Sequence, residues 1–299
     1  MFGALGAFPR SRYQQVMTEE AQDIPRKSAD DLQSTQFVTR YLGPGLPVIL
    51  TGLAKRWPAA STWTLEHLVS RFGDRVVSGM AWEGEGVENS LRYTWISDRL
   101  DAWASGMLAP KASRQHGFVA TPLPQVSPEL MAETGRLDAY MPTHAIARRL
   151  GMKPRPPELW LNQAGTVSPM HFSVSHNLLA QMSGTKTITL FAPSDGARLG
   201  YPSRDVRDLG PSAVTFTALD PDAPDSVRFP RFREATPMRV TIVPGEVLFI
   251  PSGYFQLTRF PETSVSLSYF WTTPKNLLKN APVLASSAWR RFVDPILAG

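Results

Sequence analysis

No cysteine occurs among the 299 residues, which excludes disulfides and thiolate metal sites and fits a reducing cytoplasm. No apolar run approaches the ~18 residues that a membrane-spanning helix needs, so no membrane span is expected. Histidine is scarce, with five residues, so few imidazole donors are available for metal or acid–base chemistry. A continuous basic helix and a basic patch interleaved with aromatics are both missing. Nucleic acid is therefore not favoured as a partner, although the formal net charge is +5 and an acidic partner or substrate suits it. The first residues place apolar side chains before basic ones, the reverse of a secretory signal.

The chain has ordinary globular apolar content and a length suited to one large domain with attached helices. Punctuation by Gly and Pro divides it into short segments. Helical patterns are expected over 34–41, 64–72, 93–103, 128–134 and 143–150, with a Gly/Glu-rich loop at 80–88. Strands are expected over 47–50, from 75, and over 116–121, 214–217, 238–243, 246–250, 254–258 and 264–271. Residues 1–30 read as an irregular arm or a short helix. Residues 274–299 read as one or two helices.

The centre of the chain is residues 160–193, WLNQAGTVSPMHFSVSHNLLAQMSGTKTITLFAP. It reads as strand, turn, strand, turn, strand. His171 closes the S-P-M-H run, Gly184 supplies a turn, and Lys186 opens an alternating strand in which Ile188 and Leu190 share a face.

This stretch resembles the JmjC-type, cupin-like Fe(II)/2-oxoglutarate oxygenases, including the asparaginyl hydroxylase of hypoxia-inducible factor. The carrying motifs are S-P-x-H-F, N-L-L-x-Q-x-x-G-x-K and a strand ending L-F-x-P. Further matches are L-P-V-I-L-T-G from Leu46, W-P at Trp57, W-T-L-E-H-L from Trp63, V-P-G-E-V-L-F-I-P from Val243, and the strand from Val265 to Trp271. The resemblance implies a mainly β fold with α/β additions. Its centre is a double-stranded β-helix, or jelly-roll barrel, with an N-terminal α/β collar and C-terminal helices. It implies an arm over 1–36, the barrel domain over 37–273 and a tail over 274–299 that forms a homodimer in relatives.

The family holds iron with H-x-D and a distal His. Here Ser173 stands at the Asp position and Gln256 at the distal His, leaving His171 alone. Metal ligation is therefore not expected at His171, Ser173 and Gln256, and no cofactor is expected, with Fe(II) and 2-oxoglutarate as the alternative. By resemblance, Lys186, Ser168 and Asn177 meet the cosubstrate carboxylate or another anion, and Trp160, Gln256 and Tyr269 line the pocket. His171 and Lys186 are the catalytic candidates. His176, five residues on from His171, is expected outside the pocket. His67, His116 and His144 have no ligand spacing. Three functions stay open. The first is a metal-independent enzyme or ligand-binding protein with a repurposed barrel, taking a small molecule or peptide that is anionic. The second is an Fe(II)/2-oxoglutarate hydroxylase of a peptide or small molecule with unusual coordination. The third is a non-catalytic interaction scaffold.

Overall fold

The computed structural model describes residues 23–108, 116–201, 207–209 and 214–279. The strands, in chain order, are β1 (Arg26–Ser28), β2 (Val48–Thr51), β3 (Val76–Trp82), β4 (Thr94–Arg99), β5 (His116–Pro122), β6 (Glu158–Asn162), β7 (Val167–Phe172) and β8 (His176–Ser183). Then follow β9 (Lys186–Phe191), β10 (Arg207–Leu209), β11 (Val214–Thr217), β12 (Met238–Ile242), β13 (Val247–Ile250), β14 (Phe255–Arg259) and β15 (Ser264–Trp271). They form a nine-stranded sheet, β1-β2-β13-β8-β15-β6-β5-β3-β4, and a six-stranded sheet, β10-β11-β7-β14-β9-β12. Long crossovers between the sheets give the expected jelly-roll barrel.

Alternation along the strands sorts residues into layers. Val265, Leu267, Tyr269 and Trp271 of β15 join Leu178 and Ala180 of β8 in the largest core, together with Trp63, Leu65 and Leu68 of the collar. The opposite face of the same strands looks into the barrel. There Leu179, Ile188, Leu190, Val240, Ile242, Leu248 and Ile250 pack together. A third core covers the outer face of the smaller sheet, where Met170, Phe172, Phe255 and Leu257 meet Phe229 and Phe232 from the long loop. Arg259 and Arg239 tie that loop down through Asp222, at 2.6 and 2.5 Å.

Three expectations are corrected. The helix expected over 93–103 is strand β4 followed by the helix Leu100–Leu108. β3 offers a free edge, and Thr94 to Arg99 pair along it residue for residue, so tertiary pairing overrides a weak helical pattern. The loop expected from 80 begins later, since Met80, Ala81 and Trp82 complete β3. The arm does not stay free through residue 36. Ile24 is buried, Arg26–Ser28 adds to β2 in parallel, and Arg26 Nε meets Glu246 at 3.0 Å. The tail begins with the helix Pro274–Lys279; residues 280–299, and with them the dimer expected through the tail, lie outside the described residues. No helix of the described residues is long and apolar enough to cross a membrane.

Candidate functional site

Strands β7, β9 and β14 of the smaller sheet carry one wall of the barrel interior. β14 lies between the other two, with Gln256 opposite His171 on one side and Leu190 on the other. The β7–β14 register slips between Gln256 and Thr258. This bulge falls at Pro169, which has no N–H to give the ladder. It leaves Ser168 opposite Thr258 and His171 opposite Gln256.

His171 and Gln256 touch. His171 Nδ1 lies 2.8 Å from the Pro169 carbonyl, and a carbonyl only accepts, so Nδ1 carries the proton. Nε2 then holds the lone pair, and the Gln256 side-chain amide donates to it at 3.1 Å. Burial pushes the imidazolium down to about 4, against the opposing bond to Pro169. The ring is thus neutral at pH 7, held in one tautomer, and its lone pair is engaged. The Phe216 ring packs against it at 4.9 Å.

Ser173 is turned to a local task. Its hydroxyl accepts from the Ser175 N–H at 3.1 Å, and its carbonyl accepts from Gly253 N–H at 2.8 Å. His176 is buried on the far side of the larger sheet, between Phe249 and Trp271, and its Nδ1 accepts from the Ser252 N–H at 3.1 Å. His67 lies beside Arg71 on the collar helix, and burial lowers the buried His144. Neither joins His171. Among the described residues no three His, Cys, Asp or Glu come together as a metal-holding group.

Lys186 opens β9 at the other end of the interior. Gly184 sets its direction: at φ +65° a Cβ there would lie 2.4 Å from the Thr263 carbonyl, so the turn takes glycine. Lys186 is 3% exposed. Its Nζ donates to Ser266 Oγ at 2.5 Å and sits 5.3 Å from the Phe260 ring centre. No carboxylate of the described residues pairs with it, and burial pushes it down to about 7. Around it the interior is polar. Asn177 donates to Ser268 Oγ at 3.3 Å. Asn177 Oδ1, Gln181 Oε1, Ser264 Oγ, Trp160 Nε1 and both amide atoms of Asn162 are buried without a hydrogen-bond partner among the described residues.

The structure therefore gathers Trp160, Ser168, His171, Asn177, Lys186 and Gln256 on barrel-facing positions. Tyr269 is a correction. Its neighbours Ser268 and Phe270 alternate with it, so it points to the helical side, T-shaped to Trp57 and bonded to the Gly135 carbonyl at 3.3 Å. It lines the collar core, not the barrel. Sequence reading passed over Asn162, Gln181, Ser264 and Ser266. The signal was the S-x-S-x-S alternation of β15, serines where a wholly buried strand would carry aliphatics. A separate cavity of about 60 Å³ between β4, β5 and the helix Leu100–Leu108 shares no residue with this group.

Fold and interior together define a JmjC-type, cupin-like barrel. Residues 34–276 match the cupin-like domain family, and the chain belongs to it. It is 29% identical over 256 residues to lysine-specific demethylase 8 of Xenopus tropicalis, covering 83% of this chain and 53% of that protein. It is 28% identical over 260 residues to Jumonji C domain-containing protein 5 of Drosophila melanogaster, at 83% and 60%. It is 24% identical over 261 residues to the human bifunctional peptidase and (3S)-lysyl hydroxylase JMJD7, at 79% and 80%. The chain thus spans little more than half of the first two.

These relatives are of the Fe(II)/2-oxoglutarate-dependent class, which goes against the expectation that this chain uses no cofactor. The residues fit the two groups unequally. Lys186 and Ser266 suit the carboxylate of a 2-oxo acid: a buried amine with no counter-ion among the described residues, beside a hydroxyl. The iron donor set is not met by Ser173, whose oxygen serves its own turn, nor by Gln256, whose N–H faces His171.

Proposed function

We propose that this cupin-like chain is a divergent member of the oxygenase superfamily. Its barrel interior binds a small carboxylate of the 2-oxo-acid kind, and its chemistry runs on His171 and Lys186. The carrying observation is Lys186. An ammonium group in a dry interior is costly unless an anion meets it, and no side chain among the described residues supplies one. The ligand's carboxylate takes that place, with Ser266 beside it. Ser168 and Asn177 face the same interior and give further polar contacts. His171 is neutral and fixed in its tautomer, so it offers one acceptor nitrogen whenever Gln256 swings aside.

Calorimetry with 2-oxoglutarate tests the reading. Wild-type protein should bind it, and Lys186→Met should weaken binding at least about 100-fold, the equivalent of a lost buried charge pair. Equal affinity in the two proteins would remove Lys186 from the site.

A second reading is a 2-oxoglutarate-dependent hydroxylase with an altered iron shell. The human relative, a bifunctional peptidase and (3S)-lysyl hydroxylase, favours it. Tight Fe(II) or Mn(II) binding by the unaltered protein, lost in His171→Ala, would replace the first reading with this one.

A further inference from the structure

The barrel-facing side of the larger sheet holds more polar capacity than one carboxylate uses. Register puts the residues side by side. Ser264 lies opposite Asn162, and Ser266 lies opposite both Trp160 and Gln181. Ser266 in turn receives the Lys186 ammonium. Asn162, Gln181, Ser264 and Ser266 are all 0% exposed. Folded proteins leave few buried polar atoms unpaired, since each gives up its hydrogen bonds to water on burial. Here five such atoms share one strip of sheet.

Their roles are mixed. Gln181 Nε2 already donates to the Ser183 and Gly184 carbonyls, at 2.8 and 2.9 Å, so its Oε1 is left as an acceptor. Trp160 Nε1 is a donor only. Ser264 Oγ does either, and the Asn162 amide offers one acceptor and two donors. Hydroxyl groups both donate and accept, so they answer such an alternating row better than carbonyls or amines. An amine has no counter-charge here. Two acids near this face are already engaged: Glu158, opposite Ser268, is tied to Arg155, and Glu246, whose carbonyl accepts from Gln181 N–H, is tied to Arg26. Trp160 adds a flat apolar surface. It stacks on Phe118 with centroids 5.2 Å apart, and it is partly exposed while its Nε1 is buried.

We infer that the ligand is a polyhydroxylated carboxylate, a sugar acid. Its carboxylate meets Lys186 and Ser266, and its hydroxyls run along Gln181, Trp160, Ser264 and Asn162. The inference rests on the carboxylate site of the preceding section and adds the class of ligand that fills it.

Titration calorimetry with three probes separates the two claims. D-glucarate and adipate share chain length and charge, and only glucarate carries hydroxyls; glucitol carries hydroxyls without charge. Glucarate should bind at least about 10-fold more tightly than adipate, a difference of about 1.4 kcal/mol, and glucitol should bind weakest. Asn162→Val and Ser264→Ala should each erase most of the glucarate preference and leave adipate affinity unchanged. Trp160→Phe keeps the ring and removes one donor. It should lower glucarate affinity several-fold, which keeps the test open should Asn162→Val fail to fold. Equal or tighter binding of adipate overturns the sugar-acid inference while the anion site stands, with ordered water as the filling of the strip. Binding of neither acid overturns the sugar-acid inference, and the anion site then stands or falls with 2-oxoglutarate.

Discussion

The two ends of the barrel interior treat their polar groups differently. At the His171 end each group we trace has a protein partner. The imidazole bonds Pro169 and Gln256, and Ser173 bonds Ser175. At the Lys186 end an amine sits beside amide, hydroxyl and indole atoms; among the described residues the amine has no counter-ion and those atoms no hydrogen-bond partner. A satisfied network holds its own shape and asks nothing of a ligand. An unsatisfied one is costly alone and is relieved by binding. Recognition should therefore be concentrated at Lys186, with His171 acting from a pre-set position.

The most direct way to break the contrast is Lys186→Met. Removing the buried amine should stabilise the ligand-free protein by about 2 kcal/mol at pH 7 and abolish its ligand-induced gain in Tm. Urea melts read the first effect and thermal melts with and without 2-oxoglutarate the second, and a destabilised variant would mean that Lys186 is already satisfied internally.

Ser173→Asp with Gln256→His attacks the other end. It supplies a carboxylate and an imidazole and removes the amide that occupies the His171 lone pair. Mn(II) affinity should rise by about 100-fold or more, and each single change should do far less, since ligands act as a set. Single changes as effective as the pair would show that His171 is not held as described.

The two ends should also separate by pH. Lys186 falls from 10.5 to about 7 on folding. Between those values the unfolded chain holds a proton that the folded chain lacks, so stability rises with pH. His171 falls from 6.5 to about 4, so stability drops as pH is lowered through that window and levels off below it. Chemical denaturation from pH 4 to 10 should show both slopes, at most about 1.4 kcal/mol per unit. The upper slope should vanish in Lys186→Met and persist in His171→Phe.

The smallest effect belongs to Gln256→Leu. It removes one hydrogen bond to a neutral ring, costing about 1 kcal/mol. Nitrogen chemical shifts of His171 should still show Nδ1 protonated, since Pro169 sets the tautomer. A mixture of tautomers would show that Gln256 sets it.

Much of the frame was legible because it is local. Alternation marked β9 and β15, Gly184 marked the turn before Lys186, and Ser34, Leu65 and Pro142 open helices near where patterning put them. What failed depended on neighbours. Thr94–Arg99 has no strong period of its own and becomes a strand because β3 needs an edge partner. Tyr269 matched a pocket position by motif, yet the pleat of β15 turns it to Trp57.

The residue types at Ser173, Gln256, His171 and Lys186 are facts of sequence, and so is the order of motifs that names the barrel. Sequence alone thus determined the fold and which residue types stand at these positions. Only the tertiary structure decided that Gln256 donates to His171 across two strands 85 residues apart. It alone left Lys186 buried with no acid beside it among the described residues, and aligned Asn162, Ser264 and Gln181 on one strip. Those outcomes depend on register between distant strands, and a shift of one residue would turn every one of these side chains to the opposite face.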